Sequence, residues 1–319
     1  MTDSLTLPLV RCRFQFTVET PIKLPDWPGS MLRGVFGHAL RRLSCMTRQK
    51  ECAGCPLFKT CPYPAIFAPP LLEHAIQRFS QPPAPYLIEP EGWGARVLAQ
   101  GDTLRFGMTL MGRAERERAL IVEALKNAAR HGLGASGGTA ELDEVSLLPL
   151  AEGGEATILY RPAEDVRLRD VVPWQLAAPP TPPGLSSLTL RFRTPLRLQE
   201  NGRALPPAKL TPATLLMTTV KRVALLAELY GNGVPDWNFK ALVQKAATVT
   251  DERTLHWQDW SRYSSRQNRS MQLGGVLGTW RLKGDLSAFF PALFLGQWLG
   301  TGKETAFGLG RYEFVVDAA

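Results

Sequence analysis

No apolar run in the 319-residue sequence reaches the roughly 18 residues that a transmembrane helix requires. The first residues also lack the basic segment and continuous apolar core of a secretory signal. A cytoplasmic chain without a membrane partner is therefore expected. Histidine is scarce, at four residues. No clustered set of Asp and Glu stands out for two-metal chemistry. No glycine-rich run continues into Gly-Lys-Ser/Thr with Walker spacing. Gly132-Leu133-Gly134 follows a helical pattern and leads into a strand, which is the wrong context for a dinucleotide fingerprint. Acidic side chains fall short of basic ones, 29 against 37, leaving a formal charge of +8. That excess favours a polyanionic partner.

Hydrophobic residues make up 45% of the chain, enough for real cores, and the 26 prolines and 28 glycines imply many tight turns. Of five cysteines, Cys45, Cys52, Cys55 and Cys61 cluster. In a cytoplasmic chain a Cys-x-x-Cys pair with two more cysteines close by reads as a tetrathiolate metal knuckle rather than a disulfide framework. The spacing, six then two then five intervening residues, is not that of a standard zinc finger. Structural zinc is the leading reading, ahead of an iron–sulfur cluster and unliganded thiols. Cys12 lies in an alternating strand and is expected in the core.

Just before the cysteine cluster, residues 30–45 carry a helical pattern. Leu32, Val35, Phe36, Ala39, Leu40 and Leu43 form its apolar face, and Ser30 is placed to cap it. Gly34, Gly37, His38, Arg41 and Cys45 fall on the other face, with Arg33 and Arg42 at its flanks. Two glycines inside a helix cost about 1 kcal/mol each relative to alanine. A bulky group approaching that backbone would explain them.

Strand patterns at 8–19, 86–88, 103–111 and 140–148 alternate with helical ones at 30–45 and 115–130. That order suits a ferredoxin-like βαββαβ unit. A proline-rich stretch, 173–186, reads as a linker. A second series follows: a strand at 188–198, a helix from Thr211-Pro212 to Tyr230-Gly231, two strands within 254–283 joined near Gly274-Gly275, a helix at 285–299 and a strand at 307–316. The expected fold class is α+β, with two tandem ferredoxin-like (RRM-like) domains. The first spans 1–172 and carries the cysteine-rich insertion 45–70; the second spans 187–319.

Two further stretches bear on ligand binding. Gly300, Gly302, Gly308 and Gly310 with Lys303 form a glycine-rich loop whose backbone N–H groups could approach a phosphate chain. Arg262, Arg266 and Arg269 lie among Tyr, Ser, Gln and Asn near Trp257 and Trp260, a mixture that suits RNA.

Four segments together carry a resemblance. They are Leu32-Arg33-Gly34-x-Phe36-x-His38, the Cys45/Cys52-x-x-Cys55/Cys61-Pro62-Tyr63 insertion, Lys221-Arg222-Val223-x-x-Leu226-x-x-Leu229-Tyr230-Gly231, and Gly300-Thr301-Gly302-Lys303-x-x-x-Phe307-Gly308-Leu309-Gly310-Arg311-Tyr312. The chain resembles the CRISPR-associated endoribonucleases that process precursor crRNA, the sixth Cas family, within the RAMP superfamily, and its cysteine-bearing branch in particular. The resemblance implies metal-independent cleavage of CRISPR repeat RNA by 2′-OH attack, leaving 5′-OH and 2′,3′-cyclic phosphate ends. It implies no catalytic cofactor, and other Cas effector subunits as partners. His38 is the expected base, with Arg41 and Arg42 stabilising charge. Arg33, Lys221 and Arg222 join the expected RNA contacts. The alternative is a crRNA-binding subunit of an effector complex that does not cut.

Overall fold

The computed structural model describes residues 5–69, 82–150, 154–162, 168–264 and 269–317, with backbone only for 261–264 and 269–272. The chain divides into two compact units, one within 8–174 and the other formed by 175–317 with residues 5–7.

The first unit runs β1 (Thr6–Val18), β2 (Ile22–Leu24), α1 (Gly29–Ser44), α2 (Pro62–Phe67), β3 (Tyr86–Pro90), β4 (Arg96–Leu98), β5 (Thr103–Met111), α3 (Gly112–Arg116), α4 (Arg118–His131), β6 (Ala140–Leu147) and β7 (Thr157–Tyr160). Its main sheet has the order β3-β5-β1-β6-β7 with antiparallel neighbours. Apart from the extra strand β7, that is the βαββαβ order the sequence pattern implies. Alternation in β1 buries Cys12, Phe14, Phe16 and Val18. Phe16, with Leu104 and Phe106 of β5, lines a small cavity shared with Leu32 and Val35 of α1 and Leu125 and Ala128 of α4. The two helices therefore cover this face of the sheet.

The second unit contains β9 (Ser187–Leu196), α5 (Pro212–Tyr230), α6 (Phe239–Ala246), β12 (Thr250–Ser264), β13 (Arg269–Lys283), α7 (Phe290–Leu299) and β14 (Tyr312–Val316). A two-residue-strand hairpin, β10 (Gln199–Glu200) with β11 (Arg203–Ala204), follows β9. A short strand, β8 (Trp174–Ala177), lies within the stretch read as a linker. The sheet order is β12-β13-β9-β14, again ferredoxin-like. Thr211 caps α5 as expected, its side chain accepting from the Thr214 N–H at 3.1 Å. Leu215, Leu216, Val220, Val223, Leu226 and Ala227 of α5 are all buried.

Three sequence expectations need correction. Ser30 is not the cap of α1; the helix begins at Gly29, and its cap position is Pro28, which makes no side-chain cap. Gly274-Gly275 is not a turn but lies inside β13, where the two glycines pair with Asp259 and Gln258 of β12. The two glycines are needed for close approach. A Cβ on Gly274 would strike the Trp257 ring, and one on Gly275 would lie 2.7 Å from the Leu196 carbonyl. The last strand starts at Tyr312, because residues 305–307 form a 3₁₀ turn instead.

Among the described residues, no helix is long and apolar enough to cross a membrane.

Candidate functional site

Half-buried Gly34 and exposed His38 and Arg42 are spaced by four residues and so aligned along one face of α1. His38 and Arg42 are exposed, and neither makes a hydrogen bond or ion pair with a described residue in the structure. A Cβ on Gly34 would meet nothing within 4 Å, so the helix backbone beside His38 is open to a ligand. Gly37 has another reason to be glycine. It is buried, and a Cβ there would run into the ring of Phe67 on α2. The bulky neighbour expected from the sequence is thus, at Gly37, an internal aromatic. Leu43, assigned to the apolar face, is 42% exposed.

The two arginines expected to assist on either side of this strip are engaged elsewhere. Arg41 donates through Nη2 to the carbonyls of Gln49 and Lys50, at 2.5 and 2.8 Å, and lies over the Tyr63 ring. Arg33 sits 4.1 Å over the centroid of the Phe67 ring and donates to the Phe67 carbonyl at 3.4 Å. Phe67 in turn stacks on Tyr63 and Tyr86 and meets Phe36 edge-on. Both arginines therefore bind the helix to the insertion behind it. Of the three cations proposed for α1, Arg42 alone extends from the His38 face without such an engagement among the described residues.

Cys45, Cys52, Cys55 and Cys61 line a single pocket. Cys45 closes α1, its N–H reaching the Arg41 carbonyl at 2.8 Å, and Cys61 stands immediately before α2. Between them the Cys55 N–H turns back to the Cys52 carbonyl at 3.1 Å, through Gly54 at φ +80°. Burial works to raise the Cys45 thiol, but the Arg48 N–H, Thr47 and Arg41 hold it below its ordinary value. Among the described residues no group of three or more His, Cys, Asp or Glu stands arranged to hold a metal ion. Cys12 is apart from this cluster, as expected, and burial pushes its thiol up to about 12.

In the second unit, the glycine-rich loop is largely folded onto itself and onto β9. The N–H groups of Thr301, Lys303, Gly308 and Gly310 donate to Gly310, Arg197, Thr305 and Pro195 carbonyls. Gly300, Gly302, Gly308 and Gly310 all have positive φ. A Cβ on Gly302 would lie 2.5 Å from the Arg197 carbonyl, and one on Gly310 would overlap the Thr301 carbonyl. The glycines permit tight packing, and these four amides are unavailable to a phosphate. Lys303 is exposed. Arg222 points inward: Nε and Nη2 donate to the Leu299 carbonyl at 3.2 and 2.9 Å, and Nε also to Gly300 at 2.9 Å. Burial lowers its pKa to about 10, so it remains a cation at neutral pH and caps the C-terminal end of α7. It is a brace for the loop rather than a phosphate contact. Lys221, one residue earlier, is exposed.

The hairpin carries the remaining basic residues. β12 and β13 pair over 15 residues each, but β9 pairs with β13 only from Val276 to Lys283. The distal half is a two-stranded ribbon beyond the sheet. Arg262 and Arg269 lie on its far end, whereas Arg266 lies outside the described residues. Sequence reasoning missed Arg197. It follows β9, donates to the Gly274 carbonyl on β13 at 2.6 Å, and accepts the Lys303 N–H on its own carbonyl at 2.9 Å. It ties the ribbon's base to the glycine-rich loop. Its sequence signal was faint, one more basic residue in an Arg-rich strand.

The chain is thus built in two ferredoxin-like parts, the second with a glycine-rich loop before its last strand. The family models agree: AF_1859_N, described as an N-terminal domain, matches residues 7–171, and the CRISPR-associated endoribonuclease Cas6 matches residues 190–312. Residues 190–312, most of the second unit, thus match the Cas6 family of CRISPR-associated endoribonucleases. The fold of the chain is similar to that of a Thermus thermophilus Cas6 (TTHB231) in a product complex, with a TM-score of 0.56 at 18% identity, covering 97% of this chain and 99% of that one. It is also similar to a chain of a partial Cas6-RT-Cas1–Cas2 complex, with a TM-score of 0.55 at 15% identity, covering 99% of this chain and 47% of that one. No curated protein matches the sequence.

Proposed function

We propose that this chain binds CRISPR repeat RNA and cleaves precursor crRNA without a catalytic metal ion. His38 takes the proton of a ribose 2′-OH. The 2′-oxygen attacks the adjacent phosphorus, and the bond from phosphorus to the 5′-oxygen breaks. The leaving 5′-oxygen takes a proton from solvent water, protonated His38 returns its own to solvent, and the products are a 2′,3′-cyclic phosphate and a 5′-OH. Arg42 faces the extra negative charge that builds on the phosphate. The observation that carries this reading is the exposed pair His38 and Arg42, aligned with Gly34 and the open space beside it, on a helix held firmly from behind. Substrate is gripped by the ribbon through Arg262, Arg266 and Arg269, with Lys221 and Lys303 as further phosphate contacts. The test is incubation with the repeat RNA encoded beside the protein's own locus, in EDTA, with analysis of the product ends. Cleavage that needs added divalent metal, or products carrying 5′-phosphate, would overturn the proposal.

A second reading is a crRNA-holding subunit that does not cut. It is favoured by one observation: no described residue orients the His38 ring, whereas a general base is usually held by a third group. The similarity to a chain of a Cas6-RT-Cas1–Cas2 assembly fits partners of the Cas type under either reading. Single-turnover cleavage measured alongside binding separates the two.

A further inference from the structure

From Cys45 to Cys61 the chain makes a 17-residue excursion between α1 and α2 with no helix or strand of its own. Such a segment normally holds its shape by burying apolar side chains. This one does not. Met46 is 83% exposed and Leu57 is 37% exposed. Within the whole segment only Phe58 and the four cysteines are half-buried, and every other residue is exposed. The four thiols line one pocket. Their backbone setting is a set of tight turns: Cys52 to Cys55 through Gly54, Cys55 to Phe58, and Leu57 to Cys61. Arg41 fastens the far side of the excursion by holding the Gln49 and Lys50 carbonyls.

We infer that the Cys45–Cys61 excursion is a zinc knuckle, in which Cys45, Cys52, Cys55 and Cys61 bind one Zn²⁺ as thiolates and so replace the apolar core that the segment lacks. Four sulfur donors with a Cys-x-x-Cys turn are the donor set of a closed structural zinc site. The thiols are not in a ligating arrangement as they stand. The turns between them are exposed and free to draw the thiols together, and metal binding to such a site supplies folding energy directly. The ends of the knuckle are the last residue of α1's cap and the residue before α2. The metal thus fixes the end of the helix that carries His38, about two turns away, and takes no part in chemistry at the RNA. This inference is independent of how the chain treats RNA.

The test uses the full chain, purified without a metal-binding tag. Metal analysis should find about one zinc per chain, and little in the Cys52→Ser/Cys55→Ser variant. That variant could fail to fold, so the native chain carries a second measurement. With zinc bound, the four thiols should resist alkylation under native conditions. A mercurial reagent with a chelator should release the zinc, open the thiols and lower the melting temperature. Brief EDTA should leave a four-thiolate zinc in place, so the cleavage assay in EDTA is a separate question. A zinc-free chain whose cluster thiols alkylate at once, stoichiometric iron with sulfide, or disulfides among the four would each overturn the inference.

Discussion

The two glycines of α1 answer to different neighbours, and substitution should separate them. Gly34 has open space where a Cβ would go. Gly34→Ala should therefore raise thermal stability, by up to about 1 kcal/mol, through helix propensity. Gly37→Ala should lower it by about 1–2 kcal/mol, because the Phe67 ring is held among Tyr63, Phe36, Tyr86 and Arg33 and has little room to give. Denaturant melts of both variants check this, and equal effects would mean that the Phe67 contact is slack. If Gly34 also leaves room for RNA, Gly34→Ala will weaken cleavage while it stabilises the fold. His38→Ala should reduce single-turnover cleavage about 10²–10⁴-fold with little change in RNA affinity. Arg42→Ala should lower the rate without changing the melting temperature. Arg41→Ala should lower the melting temperature, because its hydrogen bonds hold the Gln49 and Lys50 carbonyls. A wild-type rate in His38→Ala would reduce His38 to a surface residue.

At the scale of elements, the ribbon and the glycine-rich loop share one fastening. Arg197 ties the Gly274 carbonyl to the segment that receives the Lys303 N–H. Lys303 itself extends outward. Arg197→Ala is expected to weaken RNA binding by releasing the ribbon, while the dependence of affinity on salt keeps its slope. Lys303→Ala is expected to lower that slope by about 1, as loss of a direct phosphate contact should. Titrations across a salt series read both outcomes. A reduced slope for Arg197→Ala would make Arg197 a phosphate contact instead of a brace. Arg222→Ala should act mainly on stability, because its guanidinium is committed to the Leu299 and Gly300 carbonyls at the end of α7.

For the whole molecule, the charge of +8 predicts that RNA is held largely through its backbone. The logarithm of affinity should fall with the logarithm of salt by roughly 0.7–0.9 for each phosphate contact. Changing Arg266 and Arg269 to alanine should reduce that slope by about 2, and cleavage should recover at saturating protein. A flat salt response in the unmodified chain would remove the basic ribbon from the binding surface.

Both ferredoxin-like sheets could be read from the sequence alone. Alternation of buried and exposed positions has a period of two, and the amphipathic helices have a period near 3.6, so Phe14, Phe16, Leu190 and Phe192 and the apolar stripe of α5 declare their faces without reference to neighbours. His38 was likewise legible, as a histidine placed opposite an apolar stripe. What each cation and each glycine does was not legible. A guanidinium looks the same in sequence whether it faces solvent, as in Arg42, stacks on a ring, as in Arg33, or caps a buried helix end, as in Arg222. A glycine likewise does not reveal whether it bends the chain or admits a close neighbour. Gly274 and Gly275 resembled a turn and proved to be contacts with Trp257 and Leu196, while the glycines of the C-terminal loop proved to pack against Arg197 and Thr301. Periodicity is a property of the chain itself. Partners distant in sequence meet only once the chain has folded, and so the tertiary structure alone decided which charges are committed to carbonyls and rings and which stay exposed.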